Sequence, residues 1–291
     1  MKIAIAAAAG NVAGRALEKI VEHGAEAVAL VRHPEKVPSS LRDRVRIELG
    51  SLEDAAFVAG AARGVGALLW LTPTTFGAED FREHTLGLAR NAAHAIRENG
   101  IRRVVFVSSH GADRAGIGHV SFAGEAEKIL AAAAPSTMAL RSAGFMENLL
   151  SSIDALKSGE LFGVLPPAKT YPLVATRDVG DVAAKWLLDG SWSGHHVRGV
   201  HGPTDVSAND QVAILSRVLE RPIRYRHIPA AALRAAFVKR GASASVADAY
   251  EAVFAAFAHA DYAPTEKRNE ETTTPTTLET FAREILRDKI G

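Results

Sequence analysis

Lys2-Ile3-Ala4-Ile5-Ala6-Ala7-Ala8-Ala9-Gly10-Asn11-Val12-Ala13-Gly14 is the stretch on which the fold class turns. It begins as an unbroken apolar run with β-branched residues, too short for a helix, and passes into a string of small residues. Val12, Ala16 and Ile20 then recur at helical spacing. The order is strand, tight turn, helix. A charge, an apolar run and small residues also outline a signal peptide, but the run is minimal for that role.

The same rhythm repeats downstream. Short apolar runs at Lys2–Ala8, Glu26–Val31, Val45–Leu49, Ala67–Leu71, Arg103–Ser108 and Thr137–Arg141 read as strands bounded by turn residues. Helical spacing lies between them, most clearly in Phe81, Leu86, Ala89, Ala93 and Ile96 of the stretch Ala78–Asn99. Wholly apolar strands that alternate with helices are parallel strands buried on both faces and joined by right-handed crossovers. The predicted fold is α/β, a doubly wound parallel sheet.

The rhythm changes after Leu150. Pro166-Pro167, a strand at Tyr171–Val174, a helix over Asp178–Leu188 and helices at Ala230–Lys239 and Ser243–Ala258 suggest a smaller α+β lobe. Pro264–Pro275, rich in Thr, is expected to be an exposed, mobile loop before a last helix, Leu278–Asp288. The expected division is residues 1–150 and a substrate lobe over 151–291, with segments of the latter returning to the first sheet. Ligands would bind in the cleft between the two halves.

Composition narrows the function. The 291 residues are 47% hydrophobic and 23% charged, with 34 Lys+Arg against 33 Asp+Glu, a formal charge of +1. That balance lacks the excess of positive charge that drives binding to nucleic acid or anionic membranes. The absence of cysteine removes disulfides, thiolate nucleophiles and Fe–S ligation. No apolar run reaches the ~18 residues of a membrane span. A cytoplasmic protein, monomer or homodimer, with a small-molecule partner is expected.

Candidate site residues follow from the fold. In the turn, Ala7 and Ala13 take two positions of a G-x-x-G-x-x-G pattern and Gly10 the central one. Small residues there let the backbone approach a pyrophosphate, with the N–H groups of Asn11 and Val12 at the helix start facing it. A tight turn with no ligand uses small residues too. The second strand ends in Leu30-Val31-Arg32-His33-Pro34-Glu35-Lys36. Asp or Glu at this place suits a free ribose 2′-hydroxyl, whereas Arg32, backed by Lys36 and with His33 as a further candidate, suits a 2′-phosphate, so NADP(H) is favoured over NAD(H). Leu71, Thr72, Pro73, Ser108 and Ser109 end the fourth and fifth strands and are expected beside the cofactor.

Acid–base groups are harder to place. Short-chain dehydrogenases pair a Tyr with a Lys four residues later; here Phe122 and Ala126 stand in that register. His110 and His119, with Glu125 and Lys128, are the titratable groups nearest the crevice in sequence, and His110 and His119 are the candidate proton donors. Packing or capping would explain them equally well. His195-His196 point to opposite faces of a strand, so with His201 they make a poor metal site.

Together these pieces resemble the NmrA-like branch of the atypical short-chain dehydrogenases/reductases. The resemblance runs through Ala7–Gly14, Leu30–Pro34, Gly100–Ser109, Leu140-Arg141-Ser142-Ala143-Gly144-Phe145-Met146-Glu147-Asn148-Leu149, Ala175–Ala183 and Thr273–Leu278. It implies a Rossmann-type nucleotide-binding domain and NADPH-dependent hydride transfer to a conjugated acceptor, as in bacterial quinone oxidoreductases and triphenylmethane or azo-dye reductases. It further implies that Phe145, Met146 and Asn148 line the acceptor pocket. The family also includes redox sensors that bind NADP(H) without turnover, which is the alternative reading. Ser51 stands where an Asp commonly faces the adenine, a departure that bears on affinity more than on fold.

Overall fold

The computed structural model describes residues 1–259, 262 and 265–290. Its first half follows the strand–helix alternation: β1 (Lys2–Ala6), α1 (Asn11–Glu22), β2 (Glu26–Val31), α2 (Ser39–Arg42), β3 (Arg46–Leu49), α3 (Ala55–Ala61), β4 (Ala67–Leu71), α4 (Phe81–Asn99), β5 (Arg103–Ser109), α5 (Gly118–Ala131) and β6 (Ser136–Ser142). The second half has β7 (Gly144–Phe145), α6 (Ile153–Lys157), β8 (Glu160–Gly163), β9 (Tyr171–Val174), α7 (Thr176–Leu188), β10 (Gly194–Val200), β11 (Asp205–Val206), α8 (Ala208–Val218), β12 (Arg224–His227), α9 (Ala230–Lys239), α10 (Ala244–Ala258), α11 (Leu278–Phe281) and α12 (Arg287–Ile290).

Seven parallel strands form the main sheet in the order β10-β6-β5-β4-β1-β2-β3. This is the Rossmann-type arrangement, with β1 inside the sheet between β4 and β2. Alternation along β1 sends Ile3 and Ile5 to the face under α1 and α7, and Ala4 and Ala6 to the face under α3, α4 and α5. All four are fully buried, which is why the strand reads as one apolar run. Edge strand β3 departs from that pattern, with Leu49 exposed.

Two segments of the second half complete the sheet: β10 pairs with β6, and α7 packs on α1. The rest builds a lobe of a three-stranded sheet β11-β9-β7, the pair β12-β8, and helices over a separate apolar core around Leu156, Leu215 and Phe281. The last helix is interrupted by one wide turn, Ala282–Leu286, between α11 and α12. No helix among the described residues is long and apolar enough to cross a membrane.

The expected exposed loop at Pro264–Pro275 holds for Thr265, Lys267, Asn269, Glu270 and Glu271, which are exposed, but needs correction beyond them. Pro264 lies outside the described residues, but Thr272, Thr274 and Thr276 are buried. His201 N–H donates to the Thr272 carbonyl at 2.8 Å and Thr274 N–H to the His201 carbonyl at 2.7 Å, so the segment runs along the end of β10 like a further strand. Its Thr side chains are polar for internal reasons: the Thr274 hydroxyl donates to the His201 carbonyl at 2.9 Å, and just beyond the segment Asp178, itself buried, accepts from Thr276 N–H at 3.0 Å and from its hydroxyl at 2.7 Å.

Candidate active site

The turn after β1 requires the small residues that the sequence supplies. Ala7 has φ +50°, in the left-handed region that costs a non-glycine residue roughly 1–2 kcal/mol. Its carbonyl accepts from Gly10 N–H at 2.9 Å, and a Cβ on Gly10 would stand 3.3 Å from the same oxygen. Gly10 is the N-cap of α1 and supplies no side chain to it, and the first turn holds no acidic residue. Three N–H groups at the start of the twelve-residue helix therefore point out of the turn at its positive dipole end. Ala13 is fully buried against the sheet.

Arg32 projects from the end of β2, exposed and with no ion-pair partner among the described residues; Lys36 is the same. His33 instead faces Glu35 at 3.2 Å, and Arg42 braces the loop by donating to the carbonyls of Val37, at 2.8 Å, and Glu35. Ser51 Oγ accepts from Glu53 N–H at 3.2 Å. Leu71, Thr72 and Pro73 lie half-buried at the end of β4, and the buried Thr72 hydroxyl has no hydrogen-bond partner among the described residues. Ser109 ends β5 half-buried, whereas Ser108 is engaged, donating to Glu127 at 2.5 Å.

His119 and His110 have unlike surroundings. His119 sits among aromatic rings, with Tyr250 at 4.4 Å and Phe81 at 6.3 Å between centroids. Burial pushes its imidazole down to about 4, so it is neutral at ordinary pH. Phe122 packs on Phe81 at 6.0 Å and Ala126 is fully buried, so that register of α5 has no proton to give. Glu125 is paired with Arg82, and Lys128 is exposed.

His110 follows β5 directly and is 1% exposed. Its Nε2 lies 3.4 Å from Glu266 Oε2, and its ring is 4.9 Å from His201. Arg141, near the end of β6, joins this group. Its Nε and Nη2 donate to Glu127 at 3.0 and 2.8 Å, and its Nη1 donates to Glu266 at 2.7 Å. Burial pushes the His110 imidazole down, against the pull of the Glu266 charge. Burial alone would raise Glu266, but its bond from Arg141 and the charges of His110 and Arg141 take it below the usual carboxylate range.

The segment Phe145–Asn148 divides its residues between three surroundings. Phe145 is half-buried against the main-sheet core, Met146 is buried in the lobe core, and Asn148 is exposed. Glu147 accepts from Thr176 N–H at 3.0 Å and from its hydroxyl at 2.5 Å, closing the start of α7.

Helices α9 and α10 wall the crevice on the β4 side. The Thr74 and Tyr250 hydroxyls are 3.3 Å apart, Ser243 N–H donates to the Phe76 carbonyl at 2.7 Å, and Phe81 N–H donates to Ser245 at 2.9 Å. A cavity of about 660 Å³ opens behind this contact, lined by Arg82, Ser121, Phe122, Glu125 and Asp248 among others. Sequence reading missed Glu127, Arg141, Tyr250 and Glu266 as site residues. Glu127, Tyr250 and Glu266 carry no local motif, the segment that holds Arg141 gives that residue no role by itself, and Arg141 and Glu266 are 125 residues apart.

Residues 7–147 match the NAD(P)H-binding family. Over 244 residues the chain is 28% identical to a (4-alkanoyl-5-oxo-2,5-dihydrofuran-3-yl)methyl phosphate reductase of Streptomyces griseus, covering 82% of this chain and 81% of that one. Among solved structures it resembles the NADPH-dependent quinone oxidoreductase of Escherichia coli in complex with NADPH, with TM-score 0.77 and 22% identity over 95% of this chain and 97% of that one. It also resembles Citrobacter sp. triphenylmethane reductase complexed with NADP(H), with TM-score 0.78 and 17% identity over 99% of each chain. At these identities the two structures share the fold.

Proposed function

We propose that the protein is an NADPH-dependent reductase of conjugated acceptors such as quinones and enones, on the footing that residues 7–147 match the NAD(P)H-binding family. The observation that carries this reading is the pairing of an uncapped α1 N-terminus, behind the left-handed Ala7, with the unpaired Arg32 at the end of β2. The first suits a pyrophosphate and the second a ribose 2′-phosphate. Lys36 adds positive charge beside Arg32, Ser51 would face the adenine, and Thr72 and Ser109 would offer hydroxyls at the strand ends. Bound NADPH supplies a hydride.

The acceptor class follows from what the chain does and does not present. Phe122 and Ala126 replace the Tyr and Lys that would protonate a developing alkoxide, and His119 is neutral. An acceptor that delocalises the incoming charge suits such a site better than a simple ketone. The relatives named above support this, since their names give a quinone, a furanone conjugated to a second carbonyl and a triphenylmethane dye as the compounds they reduce. NADPH consumption with a panel of quinones, enones and aliphatic ketones tests the proposal. Turnover of conjugated acceptors at rates well above those of the ketones is expected; tight NADPH binding without turnover of any of them would overturn it.

A further inference from the structure

Glu127 and Glu266 are both largely buried, with side chains 12% and 7% exposed, and Arg141 binds both. All three of its donor nitrogens are engaged, Nε and Nη2 by Glu127 and Nη1 by Glu266. Two carboxylates against one guanidinium leave this buried group one positive charge short, a costly arrangement in a water-poor interior. Glu266 Oε2 is the oxygen that Arg141 leaves free, and it faces Gly111 N–H and His110 Nε2, each at 3.4 Å. His110 and His201 are both at least 98% buried, and neither ring has a hydrogen-bond partner for either nitrogen among the described residues. Buried polar atoms left unmatched are uncommon and call for a chemical reason.

The group stands at the carboxyl edge of the main sheet. His110 comes one residue after β5, Arg141 lies near the end of β6 and His201 comes one residue after β10. We propose that His110 and Glu266 hold one exchangeable proton between them, and that this proton is delivered to the reduced acceptor, with Glu266 and Arg141 as positioning residues. The proposal rests on the reductase reading. Two-electron reduction of an enone or quinone takes up one hydride and one proton. The hydride is the cofactor's; the proton leaves His110 Nε2, and the neutral imidazole regains one from solvent.

Other charges facing His110 are arranged around this pair. His201 lies beside it at 4.9 Å, and Tyr171 of β9 approaches edge-on at 6.4 Å. Tyr262 brings its hydroxyl against Gly111, Asp113 lies 3.5 Å from Arg141, and Asp205 and Arg268 pair with each other beyond His201. Burial and the neighbouring His110 push His201 down to about 4, so it does not compete for the proton. Since burial also lowers His110, the pair loads as pH falls, and turnover should decline as pH rises through its midpoint.

The test uses the full chain labelled with 15N at histidine, titrated by NMR in the native protein, Glu266→Gln and Glu266→Asp. Removing the carboxylate should lower the proton affinity of His110 at least tenfold and leave His119 unmoved, with Glu266→Asp in between. An unmoved His110 midpoint overturns the shared proton. In turnover with an enone, Glu266→Gln and His110→Gln should each reduce kcat at least tenfold, keep the Kd for NADPH within twofold, and shift or abolish the pH dependence in step with the NMR midpoint. Native kcat and pH profile in Glu266→Gln would overturn the inference and leave the reductase reading standing. A native protein that reduces no acceptor fails that reading instead and removes the delivery step, while the NMR titration decides the shared proton independently.

Discussion

Gly180 of α7 meets Val12 of α1 backbone to backbone: a Cβ on Gly180 would stand 2.7 Å from the Val12 carbonyl oxygen and 2.7 Å from Arg15 Cβ. The contact is fastened beside it by Arg15, whose Nε donates to Asp181 at 2.6 Å. Because α1 carries the proposed phosphate site at its first turn, α7 sets where that site stands. Gly180→Ala should therefore separate the helices, costing about 1–3 kcal/mol of stability, and weaken NADPH binding as well. Melting curves with and without NADPH check this. An unchanged melting temperature would mean that the helices separate freely, and an unchanged ligand-induced shift would mean that α1 is held by other contacts.

Ala7 is the one position of the turn where glycine would suit the backbone better. Ala7→Gly relieves the left-handed strain of about 1–2 kcal/mol but loosens the unfolded chain by about 0.4–1 kcal/mol, so the net effect should lie between neutral and about 1.6 kcal/mol stabilising. Ala8→Gly, at a fully buried residue without a positive φ, should destabilise by about 1 kcal/mol. Denaturant unfolding of the two variants gives the comparison. The same loss in both would show that φ at Ala7 carries no strain.

The proposed function gives cofactor choice to Arg32, which is exposed and unpaired among the described residues. Arg32→Glu should weaken NADPH by about 2 kcal/mol or more, through loss of a charge-assisted bond and added repulsion, with little change for NADH. Calorimetric titration of both nucleotides decides this, and equal losses for the two would remove Arg32 from the 2′-phosphate site.

Acid stability should report on His119. Its folded pKa of about 4 lies below the unfolded value near 6.5, so the unfolded chain binds the extra proton first. Stability from this group is complete above pH 6.5 and is lost as pH falls through 4, by up to about 3 kcal/mol. His119→Leu should flatten that part of the curve of stability against pH between 6.5 and 4. An unchanged acid limb in urea unfolding would place the loss on other groups, His201 first among them.

The local elements were legible because their signals are local. The apolar runs at Glu26–Val31 and Ala67–Leu71 coincide with β2 and β4, and the small-residue turn coincides with the left-handed Ala7. Arg32 was legible for a similar reason, since its place at a strand end is counted from the turn. The Arg141–Asn148 and Thr176–Asp178 segments were legible as motifs, but their acidic residues prove structural: Glu147 caps α7 and Asp178 binds Thr276. The Thr-rich segment was misread as an exposed loop because polar side chains that satisfy one another inside look, in sequence, like side chains facing water.

Sequence alone determined the doubly wound sheet, its first turn and the charge at the end of β2, since strand and helix periodicity and turn chemistry depend on neighbours a few residues apart. Tertiary structure alone decided that Glu127, Arg141 and Glu266 meet next to His110, and that α10 brings Tyr250 to Thr74. Those contacts close loops of up to 176 residues, and they depend on which helix the sheet places against which strand end. Burial then gives each group its chemistry. It makes His119 an inert part of an aromatic core, and it leaves His110 beside a carboxylate that lacks half of its countercharge.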